Sequence, residues 1–128
     1  MDALPRRARS HAAALAVALL VAALAPGAGK AHAFPDHSEP RVGHTVDGTP
    51  PQVRIWFDGE IEPLFSTMRV ENAQKAQVDR RDARVDPADT TVLEVSLPSL
   101  PAGPYMVFWS VVARDGHRTE GSFPFEIR

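Results

Sequence analysis

Beyond residue 31 no stretch of this sequence keeps an apolar repeat of three or four for long, whereas several short runs alternate in twos and stop at Pro, Gly or Asp. Gln52–Phe57 puts Val53, Ile55 and Phe57 on one face and Arg54 and Trp56 on the other. Residues 67–71 form a shorter candidate. In 91–97, Leu93, Val95 and Leu97 point inward and Glu94 and Ser96 outward, and 122–127 sets Phe123, Phe125 and Ile127 against Ser122, Pro124 and Glu126. Residues 105–113 are apolar on both faces, as a central strand requires. Successive side chains of a strand point to opposite faces, so this patterning predicts an all-β sandwich or barrel. Pro124 has no amide hydrogen, so the last strand is expected at a sheet edge or paired through its carbonyl side only.

Leu100-Pro-Ala-Gly-Pro-Tyr105 sharpens the expectation. A Tyr opening a central strand in this way matches the tyrosine corner of Greek-key sandwiches, in which the hydroxyl bonds back to nearby backbone. The charged stretch 74–90 interleaves both signs and reads as a weak hairpin or a solvated connection.

The start of the chain differs from the rest. Arg6, Arg7 and Arg9 precede an apolar run over 12–25, and small residues follow up to Ala31. This order predicts a secretory signal peptide over residues 1–31 and one domain over 32–128. An anchor helix is the alternative, but the run falls short of the roughly 20 residues that span a bilayer.

The chain has 14 Lys+Arg and 16 Asp+Glu. Four of the basic residues (Arg6, Arg7, Arg9, Lys30) and one acid (Asp2) lie in 1–31, which leaves 10 basic and 15 acidic groups, a formal −5 with His neutral. No basic face for nucleic acid follows from this, and no second apolar run could span a membrane. The chain has no cysteine, so neither a disulfide nor thiolate chemistry is available to it. The domain must hold together by its core alone.

No Gly-rich phosphate loop and no Ser-His-Asp spacing stands out, which leaves histidine. His32, His37, His44 and His117 remain after the signal, three of them close to its end. Cleavage after Ala31 makes His32 the N-terminal residue. Its α-amine, with a pKa near ~7.7–8.0, then forms a chelate with its own imidazole, and such a pair favours tetragonal Cu(II). Cleavage after Ala33 satisfies the same small-residue rule and discards the chelate. Asp115-Gly-His117 offers a carboxylate and an imidazole two residues apart, on the same side of an extended segment. Taken alone, that triplet is more simply an Asp-Gly turn.

In combination and in order, these pieces resemble the CopC family of periplasmic copper-resistance proteins over essentially all of 32–128. They are His32-Ala-Phe, Ser38-Glu-Pro40-x-x-Gly43, Pro51-x-Val53-x-Ile55-x-Phe57, Glu62-Pro63 with Phe65-Ser66, Ala102-Gly-x-Tyr105-x-Val107-x-Trp109-x-Val111-Val112-x-x-Asp115-Gly-His117, and Gly121-x-Phe123-x-Phe125. The resemblance implies a Greek-key, immunoglobulin-like or cupredoxin-like β-sandwich of about seven strands that binds one Cu(II). The ligands it implies are the amine and imidazole of His32 and the imidazole of His117, with Asp115 as a further ligand or a hydrogen-bond partner. It favours cleavage after Ala31. It implies a monomeric periplasmic carrier or buffer rather than an enzyme, with an inner-membrane copper transporter as partner by analogy.

Two departures bear on the site. A glutamate that some members place two residues after the equivalent of Phe57 is Gly59 here, with Glu60 displaced by one. The methionine-rich loop of some members has no counterpart, because 70–91 contains no Met. No glutamate ligand and no thioether Cu(I) site are therefore expected, and Met68 and Met106 read as core or strand residues. His37 and His44 read as surface residues near the site, with auxiliary metal ligands as the alternative. The alternatives are a metal-free interaction module, if His32 is cleaved away, a copper oxidative enzyme with a terminal His chelate, and zinc in place of copper.

Overall fold

A computed structural model describes residues 32–128; the expected signal peptide over 1–31 lies outside the described residues. Eight strands follow in chain order: β1 (Pro35–Glu39), β2 (Thr45–Val46), β3 (Gln52–Phe57), β4 (Thr67–Asn72), β5 (Arg84–Asp86), β6 (Asp89–Ser96), β7 (Gly103–Val112) and β8 (Arg118–Ile127). They form two four-stranded sheets with orders β1-β3-β6-β5 and β2-β8-β7-β4. All pairs are antiparallel except β2 with β8. The chain crosses between sheets after β1, β2, β3, β4, β6 and not within the β7–β8 hairpin. The expected all-β sandwich is the fold observed.

The alternation seen in the sequence makes the core. Val53, Ile55 and Phe57 of β3 and Leu93 and Val95 of β6 face Val70, Val107, Val111, Phe123, Phe125 and Ile127 of the other sheet, and all are buried. Trp109 packs edge-on against Phe57, with ring centroids 5.3 Å apart. It also lies so close over Gly121 that a Cβ there would come within 2.7 Å of the indole, so a side chain at 121 would force the ring to move.

Tyr105 makes the expected corner: its hydroxyl donates to the Pro101 carbonyl at 2.6 Å, and burial raises its pKa. Tyr105→Phe is expected to lose about 1 kcal/mol of stability with the sandwich intact, because one partly buried carbonyl loses its donor. Chemical denaturation of the two proteins measures the difference.

Pro124 sits inside the sheet rather than at its edge. It pairs by its carbonyl, which accepts from the Gly43 amide at 2.7 Å, so the missing N–H faces the side where β8 has only the short β2 as neighbour.

One inward/outward assignment differs from expectation. Glu94, expected in solvent, is buried at 8% exposure. Two arginines cover it: Arg84 Nε lies 3.1 Å from Oε1, and Arg54 Nε lies 3.0 Å from Oε2 as an ion pair without hydrogen-bond alignment. Arg54 also reaches Asp86 at 2.9 Å. Paired charges thus cover part of the outer face of this sheet, and Val92, opposite Trp56 on β3, is buried as well. The polar stretch 74–90 is a connection that includes the edge strand β5 and the start of β6. Among the described residues no helix is long and apolar enough to cross a membrane.

Candidate metal centre

The site is assembled from the two ends of the domain. After β7 the chain turns through Ala113-Arg-Asp-Gly-His117, closed by the amide of Gly116 on the Ala113 carbonyl and the amide of Ala113 on the His117 carbonyl, each at 2.9 Å. Gly116 has φ of +88°, a backbone conformation that glycine adopts without strain. Within the turn the Asp115 carboxylate accepts from the His117 amide through Oδ1 at 3.0 Å and lies 2.7 Å from His117 Nδ1 through Oδ2. The backbone bond, then the His117 side chain and the charge of His32, hold the Asp115 carboxyl below the usual carboxylate range despite some desolvation.

The other end arrives from the N-terminal arm. Ala33 is fully buried in the core, and its carbonyl accepts from Thr119 Oγ1 at 2.7 Å. Phe34 is bracketed by Asp58: its amide donates to Oδ1 at 2.8 Å, and its carbonyl accepts from the Asp58 amide at 2.9 Å. Held this way, the His32 ring stands edge-on to that of His117, with centroids 4.7 Å apart. One donor atom each from His32, Asp115 and His117 lies within 4.8 Å of the others, and all three residues are exposed. The three residues singled out in the sequence thus converge, although 32 and 117 lie far apart along the chain.

The donor set suits a divalent borderline ion: two imidazole nitrogens and one carboxylate oxygen, with no sulfur. Because Asp115 engages Nδ1 of His117, Nε2 is the nitrogen of that ring left to face an ion.

The remaining candidates fall outside this cluster. His37 stacks on Trp56, with centroids 4.4 Å apart and planes 11° from parallel, and its Nδ1 lies 2.9 Å from Asp36. His44 is exposed. Glu60 accepts from Thr90 at 2.9 Å, and Gly59 stands beside the His32 carbonyl. Met68 is buried, and Met106 is exposed on β7. Trp109 is packed on Phe57, and Trp56 lies beneath the Arg54 guanidinium as well as against His37. Sequence reasoning missed Ala33, Asp58 and Thr119, whose roles rest on contacts with no local motif.

Comparison with known proteins bears on the family and the fold. The chain is 30% identical over 114 residues to "Protein YobA" of Escherichia coli K12, covering 88% of this chain and 92% of that protein. It is 30% identical over 112 residues to "Copper transport protein CutJ" of Bacillus subtilis 168, and there the match spans only 21% of the longer protein. The crystal structure of CopC from Methylosinus trichosporium OB3b superposes with a TM-score of 0.70 at 27% identity, covering 75% of this chain and 93% of that one. The structure of PcoC, a methionine-rich copper resistance protein from Escherichia coli, gives 0.65 at 25% identity, covering 76% and 99%. The model of the CopC domain matches residues 36–128, the whole sandwich from β1 onward, and the chain therefore belongs to the CopC domain family.

Proposed function

We propose that this protein holds one Cu(II) ion at the His32–Asp115–His117 cluster and acts as a monomeric periplasmic carrier or buffer of copper. Membership of the CopC family makes it a copper resistance and transport protein and not an enzyme. The observation that carries the finer reading is the approach of the His32 ring to the Asp115–His117 pair.

Cleavage after Ala31 completes the site, because the freed amine and the imidazole of His32 then chelate together, giving three nitrogens and one carboxylate. The fold supports that cut over the one after Ala33: losing Ala33 would strip a fully buried residue and the acceptor of Thr119. The metal-free alternative depends on that second cut. Delivery to an inner-membrane transporter fits the match to one segment of the longer copper transport protein CutJ.

The test is a titration of the exported protein with Cu(II), repeated with Zn(II) in competition. One tightly held Cu(II), not displaced by equimolar Zn(II), is the expected result; preference for Zn(II) would overturn the copper assignment. Asp115→Asn separates the two roles open to the carboxylate. As the partner that orients His117, its loss lowers Cu(II) affinity about 10–100-fold, the usual cost of an outer hydrogen-bond partner. A larger loss, read by competition with a chelator of known affinity, would mark Asp115 as a direct ligand.

A further inference from the structure

The geometry points to Thr119 as the positioning residue of the metal centre, acting with Asp58 to hold the N-terminal arm so that His32 meets His117. This inference rests on the copper reading above. Metal ligands at a chain terminus are ordinarily the least ordered part of a domain. Here the two residues that follow His32 are fastened at three points.

The first is the methyl of Ala33, wholly enclosed by the core. The second is Thr119, whose hydroxyl donates to the Ala33 carbonyl across 86 positions of sequence. The third is Asp58, just past the end of β3, which takes the Phe34 amide on its side chain and gives its own amide to the Phe34 carbonyl.

Thr119 is the informative member because of where it stands. It is the second residue of β8, two positions after His117, which closes the turn leading into that strand. The strand that begins directly after His117 therefore also grips the residue adjoining His32. That contact links the spacing of the two imidazoles to the register of β8, independently of any metal. Pre-ordering of this kind spares the ion the entropy of collecting a loose terminus, and it acts mainly on how slowly the ion leaves.

A threonine in a strand is ordinarily explained by its β-branched shape alone. Valine keeps that shape and removes only the hydroxyl, whereas serine keeps the hydroxyl and removes the methyl. The experiment compares the exported wild type, Thr119→Val, Thr119→Ser and Asp58→Ala, each confirmed folded by thermal melting of the metal-free protein. Cu(II) dissociation into excess chelator and the Cu(II) electron paramagnetic resonance spectrum are recorded for each.

The expected result is Cu(II) release about tenfold faster in Thr119→Val, the scale of one lost hydrogen bond, with a broadened or mixed spectrum. Thr119→Ser should restore both, and Asp58→Ala should repeat the Thr119→Val behaviour. Wild-type rates and spectrum in Thr119→Val, or failure of Thr119→Ser to restore them, would overturn the positioning role. Should Asp58→Ala unfold, the valine and serine pair decides the matter alone. Failure of the wild type itself to bind Cu(II) would instead remove the underlying copper reading, so the two failures are told apart.

Discussion

His117→Ala is expected to abolish tight Cu(II) binding while leaving the sandwich folded. His117 is exposed on a turn and belongs to no part of the core, so its truncation falls among surface changes that alter stability by about 0.5 kcal/mol or less. Its imidazole, however, is one of two that the cluster supplies. Removing it also leaves Asp115 without the ring it orients. The loss of affinity should therefore exceed the roughly 10–100-fold cost of losing an outer partner. Competition titration against a chelator, paired with a melting curve of the metal-free protein, separates the two quantities. Unchanged affinity would show that the ion sits elsewhere.

The second large effect concerns the terminus. A chain that keeps one extra residue, Ala31, ahead of His32 should lose Cu(II) affinity by at least on the order of a hundredfold, again a larger loss than that of an outer partner. In that chain the atom next to the His32 Cα is an amide nitrogen rather than an amine, and a neutral amide binds a metal far more weakly than an amine of pKa ~7.7–8.0. The imidazole is still held beside His117, since the bonds of Ala33 and Phe34 do not involve residue 31. The visible absorption band of the bound Cu(II) should move to lower energy as one nitrogen ligand is lost. Equal affinity with and without the extra residue would mean that two imidazoles and a carboxylate suffice.

Much of the fold was legible because burial here is one-sided. β3 shows a clean alternation since its inner face meets the other sheet while Arg54 and Trp56 face out. The Tyr105 corner was legible as a motif because its partner, Pro101, lies only four residues away. By contrast, β1 reads Pro-Asp-His-Ser-Glu and buries only Ser38, so no hydrophobic pattern marks it. β2 and β5 span two and three residues, too few for any period to register. Glu94 was misassigned because its burial comes from arginines on β3 and β5, a cross-strand pairing invisible along one strand.

The site divides along the same line. Asp115 and His117 stand two positions apart, and the likeness to a family suggested them as ligands along with His32. Ala33 gives no sign of being a core residue, since nothing in a small residue near a cleavage zone announces that it is enclosed. Thr119 and Asp58 act over sequence separations of 86 and 24, so only the folded chain brings them to the arm.

The most direct measurement is the intact mass of the protein recovered from the periplasm, followed by Cu(II) titration of that same sample. A mature chain beginning at His32 that takes up one Cu(II) tightly is the result expected from the cluster and from the burial of Ala33. A chain beginning at Phe34 that takes up no stoichiometric copper would contradict it.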